Sequence, residues 1–175
     1  MYEPDRHETM KALTLRHPWA WAICCAGKRI ENRTWSPPLR VGEKFAIHGG
    51  KFPLGADDKP HGAKETEYVE DITETVRELS EQKLLPGGLI SLRMLSGYVG
   101  IVAVATFGGT VTESSSPWFC GPIGWALSDV LALPRPVPCK GAQGLWTVPE
   151  DVLSAMRVQF EQQDHGQPME DDNGG

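Results

Sequence analysis

Cysteine is scarce and poorly spaced for metal. The 175-residue chain has four, at positions 24, 25, 120 and 139, with no CxxC pair among them. Neither a zinc site nor a disulfide framework follows from that spacing. The expectation is buried thiols in a reducing compartment, with no metal and no cofactor. Long apolar runs are lacking too. The longest, AWAICCAG at 20–27, falls well short of the roughly 18 residues of a membrane span. The opening MYEPDRHETMK carries no apolar core of a signal peptide. The sequence therefore points to a cytoplasmic protein with no membrane partner. A phosphate-binding loop is excluded because no GxxxxG spacing is followed by Lys-Ser or Lys-Thr. GxSxG, HExxH, helix-turn-helix, zinc-finger and RNP signatures are also missing.

A positive overall charge is lacking as well. The formal net charge is −6, which by itself argues against a polyanionic partner. The distribution argues the other way. Residues 11–51 hold Lys11, Arg16, Lys28, Arg29, Arg33, Arg40, Lys44 and Lys51 against only Glu31 and Glu43. Acid collects instead at 65–81 and 150–172. A local basic field can serve a polyanion on an acidic protein.

What is present reads as one α+β domain. Residues 1–10 are polar and are expected to be disordered, the folded domain to span 11–163, and the acidic tail 164–175 to be disordered again. KALTLR (11–16) reads as a strand. HPWAWAICCAG follows as a helix, with Pro18 in its first turn and Gly27 as its stop. That helix is apolar nearly all round and should be buried. KRIENRTW (28–35) reads as extended, with Arg29, Glu31, Arg33 and Trp35 on one face and Ile30, Asn32 and Thr34 on the other. GEKFAIHGG (42–50) reads as a strand and 52–63 as a loop. Over 64–84, Val69, Ile72, Val76 and Leu79 recur at helical spacing, with acid on the opposite face. GYVGIVAVATFGG (97–109) is the clearest strand, and another lies around 124–131. PRPVPCKGAQGLWTV reads as a loop entering a short strand. Val152, Met156 and Phe160 mark a last helix over 149–163. Short strands with a few helices suggest a small barrel-like sheet.

The stretch LTLRHPWAWAICCAGKRIENRTW resembles the opening of the ASCH (activating signal cointegrator homology) domain, a branch of the PUA-like superfamily. Pro18, Trp19, Ala20, Gly27, Lys28, Glu31, Arg33 and Trp35 fill its pattern in order. Ile47 and His48 resemble its next strand end. GWAL at 124–127 and PVPCKGAQGLW at 136–146 resemble its closing strands. The likeness covers roughly 11–148, with a divergent stretch at 52–95. It implies a PUA-like small β-barrel with flanking helices and a cleft between first helix and barrel that binds RNA or other nucleic acid.

On this reading a basic cleft is lined by Arg16, His17, Lys28, Glu31, Arg33, Trp35, His48, Lys51 and Trp118. Lysine and arginine would neutralise phosphates, and Trp35 or Trp118 would stack on a base. The partner is RNA or another single strand, including one with a modified nucleotide. Each residue also has a plainer role. Glu31 and Arg33 form a structural ion pair, or Glu31 orients Arg33 or Lys28 toward a ligand. Lys28 is a solvated side chain or a phosphate contact. His48 is satisfied by hydrogen bonds or catalytic. Trp19, Trp21 and Trp125 read as core.

The alternative function is hydrolysis of RNA or of a modified nucleoside, with Lys28, Glu31 and His48 as the candidate catalytic groups. One branch of the superfamily is an amidohydrolase of acetylated cytidine, in which a lysine is followed three residues on by a threonine. Lys28 fits, but Glu31 stands where the threonine would. A third reading makes the acidic helix or tail a docking face for a protein partner.

Overall fold

Trp125 is fully buried against one face of the sheet, and the strands around it alternate as their sequences demand. The computed structural model describes residues 9–164. The six strands are β1 (Lys11–Leu15), β2 (Ile30–Arg33), β3 (Lys44–Gly49), β4 (Gly100–Val111), β5 (Ile123–Val137) and β6 (Leu145–Thr147). They lie in the order β2-β5-β4-β3-β1-β6, and only β1 and β3 pair in parallel. The sheet curls into a half-barrel, carried with four helices: α1 (Trp19–Cys25), α2 (Ala63–Glu81), α3 (Leu92–Ser96) and α4 (Glu150–Asp164). The α+β class and the barrel-like sheet are thus as the sequence suggested. Among the described residues no helix is long and apolar enough to cross a membrane.

Both faces of the sheet are covered, so its strands are apolar on both sides. Ala12, Ala46, Ile101 and Val104 pack against Val152, Leu153, Met156 and Phe160 of α4. Leu13, Leu15, Phe45 and Ile47 point the other way, toward Ala20 and Ile23 of α1 and toward Trp125. A register shift between Ile101 and Ala103 resets the alternation along β4. Val102 and Ala103 therefore join the same cluster. The far side of α1, Trp21 and Ala22, packs on Ile72, Val76 and Leu79 of α2. An element wedged between a sheet and a helix must be apolar all round, which is the pattern its sequence carries.

The differences from expectation have local causes. The fifth strand does not stop near 131; β5 continues to Val137 through Pro134 and Pro136. β2 pairs with β5 only over Ile123–Ala126. Residues 133–136 have no partner on β4 either, because the register jumps from Ala103↔Ala132 to Ile101↔Val137, so proline's missing N–H costs no ladder bond. The backbone N–H of Arg135 donates to Gln159 of α4 instead, at 3.0 Å. The turn through 85–96 contains α3, whose Ser91 hydroxyl accepts from Met94 N–H at 3.2 Å. Met10, placed in the frayed N-terminus by sequence, is buried in the α4 cluster. The expected disorder of 1–8 and 165–175 lies outside the described residues. All four cysteines are unpaired. Cys25 and Cys120 are exposed and Cys24 and Cys139 half-buried, so the expectation of buried thiols is corrected.

Candidate functional site

The end of α1 sets the site. Gly27 adopts φ +68°, a left-handed conformation that glycine takes without strain. The turn lets Lys28 N–H reach back to the carbonyl of Ala22 at 3.1 Å, closing the helix. Arg29 completes the closure, donating to the carbonyls of Ile23 (2.8 Å) and Lys28 (3.0 Å). The chain then enters β2 with Lys28 turned inward.

Lys28 and Glu31 form a buried pair, 2% and 6% exposed. Lys28 Nζ donates to Glu31 Oε2 at 2.8 Å and to the carbonyl of Ile30. The same ammonium lies 5.7 Å from the centre of the Trp19 ring. Glu31 Oε1 faces Arg33 Nε at 3.1 Å, a contact of charge without hydrogen-bond alignment. Glu31 therefore sits between two cations, and the alternation that put it beside Arg33 is realised.

Lys28 and Glu31 form part of the floor of a hollow of about 350 Å³. Trp19, Asn32, Glu78 and Trp118 also line it. Asn32 fixes the wall that carries Trp118. Its Nδ2 donates to the carbonyl of Trp118 at 2.8 Å, and its Oδ1 accepts from Cys120 N–H at 3.0 Å. A single amide thus clamps a loop 86 to 88 residues away.

The remaining candidates are distributed elsewhere. Arg16 and His17 line a neighbouring hollow of about 350 Å³ that shares Trp19 and Glu78 with the first. There Arg16 faces Asp71 at 3.5 Å and lies over the Tyr68 ring at 4.3 Å. His48 and Lys51 line a third hollow, of about 510 Å³. Arg33 and Trp35 line none of the three. Trp35 packs edge-on to Trp125, with ring centres 4.8 Å apart, and its carbonyl accepts from Trp125 Nε1 at 2.9 Å. The first hollow sets Lys28 against Glu31 and Glu78. Cations do not dominate the wall because the acidic face of α2 turns toward it.

No protein-family model matches the chain, and no curated protein matches it.

Sequence reasoning missed Asn32, Glu78 and the exposed part of Trp19. Trp21 and Trp125 are buried core as expected, 3% and 0% exposed, but Trp19 is half-buried and forms the partition between two hollows. Its place at the start of α1, where the helix emerges from the core, was the available signal. Nothing local in the sequence marks Glu78.

The two inner histidines are satisfied by backbone on one side only. His17 Nε2 lies 2.8 Å from the carbonyl of Gly50, and His48 Nε2 lies 3.0 Å from that of Cys139. A carbonyl only accepts, so each Nε2 carries the proton. Each Nδ1 is buried without a partner. Burial holds both rings below their ordinary value of 6.5, and His48 adds a smaller lowering at His17. The unfolded chain therefore binds more protons as acid is added. The stability these neutral rings contribute is complete above about pH 6.5 and is lost as pH falls from there toward their folded values. The thermal midpoint should fall below pH 6.5, and His48→Gln should flatten that decline. An unchanged slope over pH 5–7 would show that His48 is not held neutral.

Proposed function

We propose that the chain is an ASCH-like domain of PUA-like kind that binds nucleic acid, RNA foremost, by receiving a base in the hollow between α1, β2, α2 and the 117–120 segment. The observation that carries the reading is the clamping of Trp118 by Asn32 at a hollow floored by a buried Lys28–Glu31 pair. An aromatic ring on a fixed wall can stack on a base with little ordering cost. An ammonium and a carboxylate below it suit the mixed donors and acceptors of a base edge. The size falls within the ~300–1,000 Å³ of small-molecule sites. This hollow suits the base rather than its phosphates, because acid faces its one lysine.

The test is the affinity of a labelled single-stranded RNA at low salt, read by fluorescence anisotropy. Trp118→Ala should weaken binding by about 1–3 kcal/mol, roughly 5- to 150-fold. Equal affinity of the variant, or no binding by the wild type, would overturn the reading.

A second reading, hydrolysis of RNA or of a modified nucleoside, rests on Lys28. Its ammonium has three protons and two acceptors, Ile30 O and Glu31, which leaves one for a guest's oxygen. RNA or nucleoside converted over time by the wild type but not by Lys28→Met would favour it. Binding without turnover favours the module.

A further inference from the structure

If a base enters the first hollow, the phosphates of its strand need a surface of the opposite charge. The first two hollows do not supply one. The second sets Arg16 against Asp71, Glu74 and Glu78. The third, at the end of β3, is different. Lys51 and Lys140 line it, and no carboxylate does. Neither lysine has an acidic partner among the described residues.

The three hollows are linked through their lining residues. β1 and β3 run in parallel, so the segments leaving them emerge side by side. Arg16 and His17 follow β1; Gly50 and Lys51 follow β3. His17 Nε2 donates to Gly50 O, and Gly50 N–H donates to Leu15 O at 2.9 Å, which ties the two exits together. Trp19 then bridges the second hollow to the first.

The loop that carries Lys140 is held in place from beneath. His48 Nε2 donates to Cys139 O. Trp146 lies edge-on to His48 and donates from Nε1 to Thr14 Oγ1 at 3.0 Å. Gly141 closes over this group so tightly that a Cβ there would stand 2.5 Å from Thr14 Oγ1 and 2.7 Å from His48 Nδ1. Lys140 is thus presented from a fixed backbone and lines the same hollow as Lys51.

We infer that the hollow between Lys51 and the 139–143 loop is a phosphate-binding site, taking the sugar–phosphate backbone of the strand whose base occupies the first hollow. The part about the strand rests on the nucleic-acid reading above; the phosphate site stands on its own lining. His48 acts here as a positioning residue that seats the loop, and Lys140 as a ligand contact that sequence reading passed over.

Two measurements test it on the full chain. Pyrophosphate alone should shift the backbone amide signals of Lys51, Lys140 and Gly141 and leave those of Asn32 and Cys120 in place. No shift at the first three would overturn the site whatever RNA does. With single-stranded RNA, the Lys51→Gln/Lys140→Gln variant should keep its thermal midpoint, because both side chains are exposed. Its log–log dependence of affinity on salt should become shallower by about 0.7 per lysine. RNA binding that depends on Trp118 but keeps the wild-type salt slope in the lysine variant would overturn the inference and leave the base hollow standing. A pyrophosphate response with no RNA binding would sink the base hollow and leave the phosphate site.

Discussion

Glu31→Ala will cost about 3–5 kcal/mol of stability, the usual range for removing one partner of a buried ion pair. The carboxylate lies between Lys28 Nζ at 2.8 Å and Arg33 Nε at 3.1 Å. Without it, a lysine only 2% exposed keeps a carbonyl and the ring of Trp19 but no counter-charge. In a domain of this size each kcal/mol moves the midpoint by about 2–4 °C, so a loss of roughly 6–20 °C is expected. The double substitution Lys28→Met/Glu31→Leu should recover most of it, because well-packed apolar residues often match or exceed a buried pair in stability. The double variant should nevertheless fail to bind RNA. Thermal denaturation of the single and double variants checks this. A Glu31→Ala midpoint within about 2 °C of wild type would mean that the pair is hydrated and not buried.

Trp125→Ala will be comparably severe, at about 3–5 kcal/mol. The ring is fully buried and meets Trp35, Phe45 and Phe107 edge-on, with centres 4.8, 6.3 and 6.2 Å away. Truncation opens a cavity at the centre of the half-barrel and leaves the Trp35 carbonyl without its donor at 2.9 Å. Trp125→Phe should lose less, since it keeps an aromatic ring in the cavity. Urea denaturation distinguishes the outcomes: the midpoint should drop with the slope unchanged. A small loss for Trp125→Ala would show that the cavity collapses or that the cluster is not the core. The same geometry predicts that Trp35 affects stability and not RNA affinity.

The elements legible in the sequence were those whose apolar residues follow the period of the element itself. Ile72, Val76 and Leu79 recur at helical spacing because α2 buries a single stripe, and Val152, Met156 and Phe160 do the same for α4. The PRPVP segment was unreadable as strand because its prolines are tolerated through facts of pairing, the early end of β2 and the register jump against β4. The site was legible in part for a similar reason. Lys28, Glu31 and Arg33 are close in sequence, and strand alternation puts Glu31 and Arg33 on one face. Trp118 follows three serines and a proline in SSSPWF (114–119), where an aromatic is informative. Asn32 acquires its role only through a contact across 86 residues, and Glu78 only through the direction in which α2 is turned. The charged residues of 11–51 are likewise placed by where their elements end. Arg16, Lys28 and Lys51 leave different element ends and face three different hollows.

The six tryptophans offer the most direct test, because their indole N–H signals report separately on core and hollow. Titration with a short single-stranded RNA should shift Trp19 and Trp118 and leave Trp21, Trp35 and Trp125 unmoved. RNA that binds while Trp19 and Trp118 stay in place would contradict a base in this hollow.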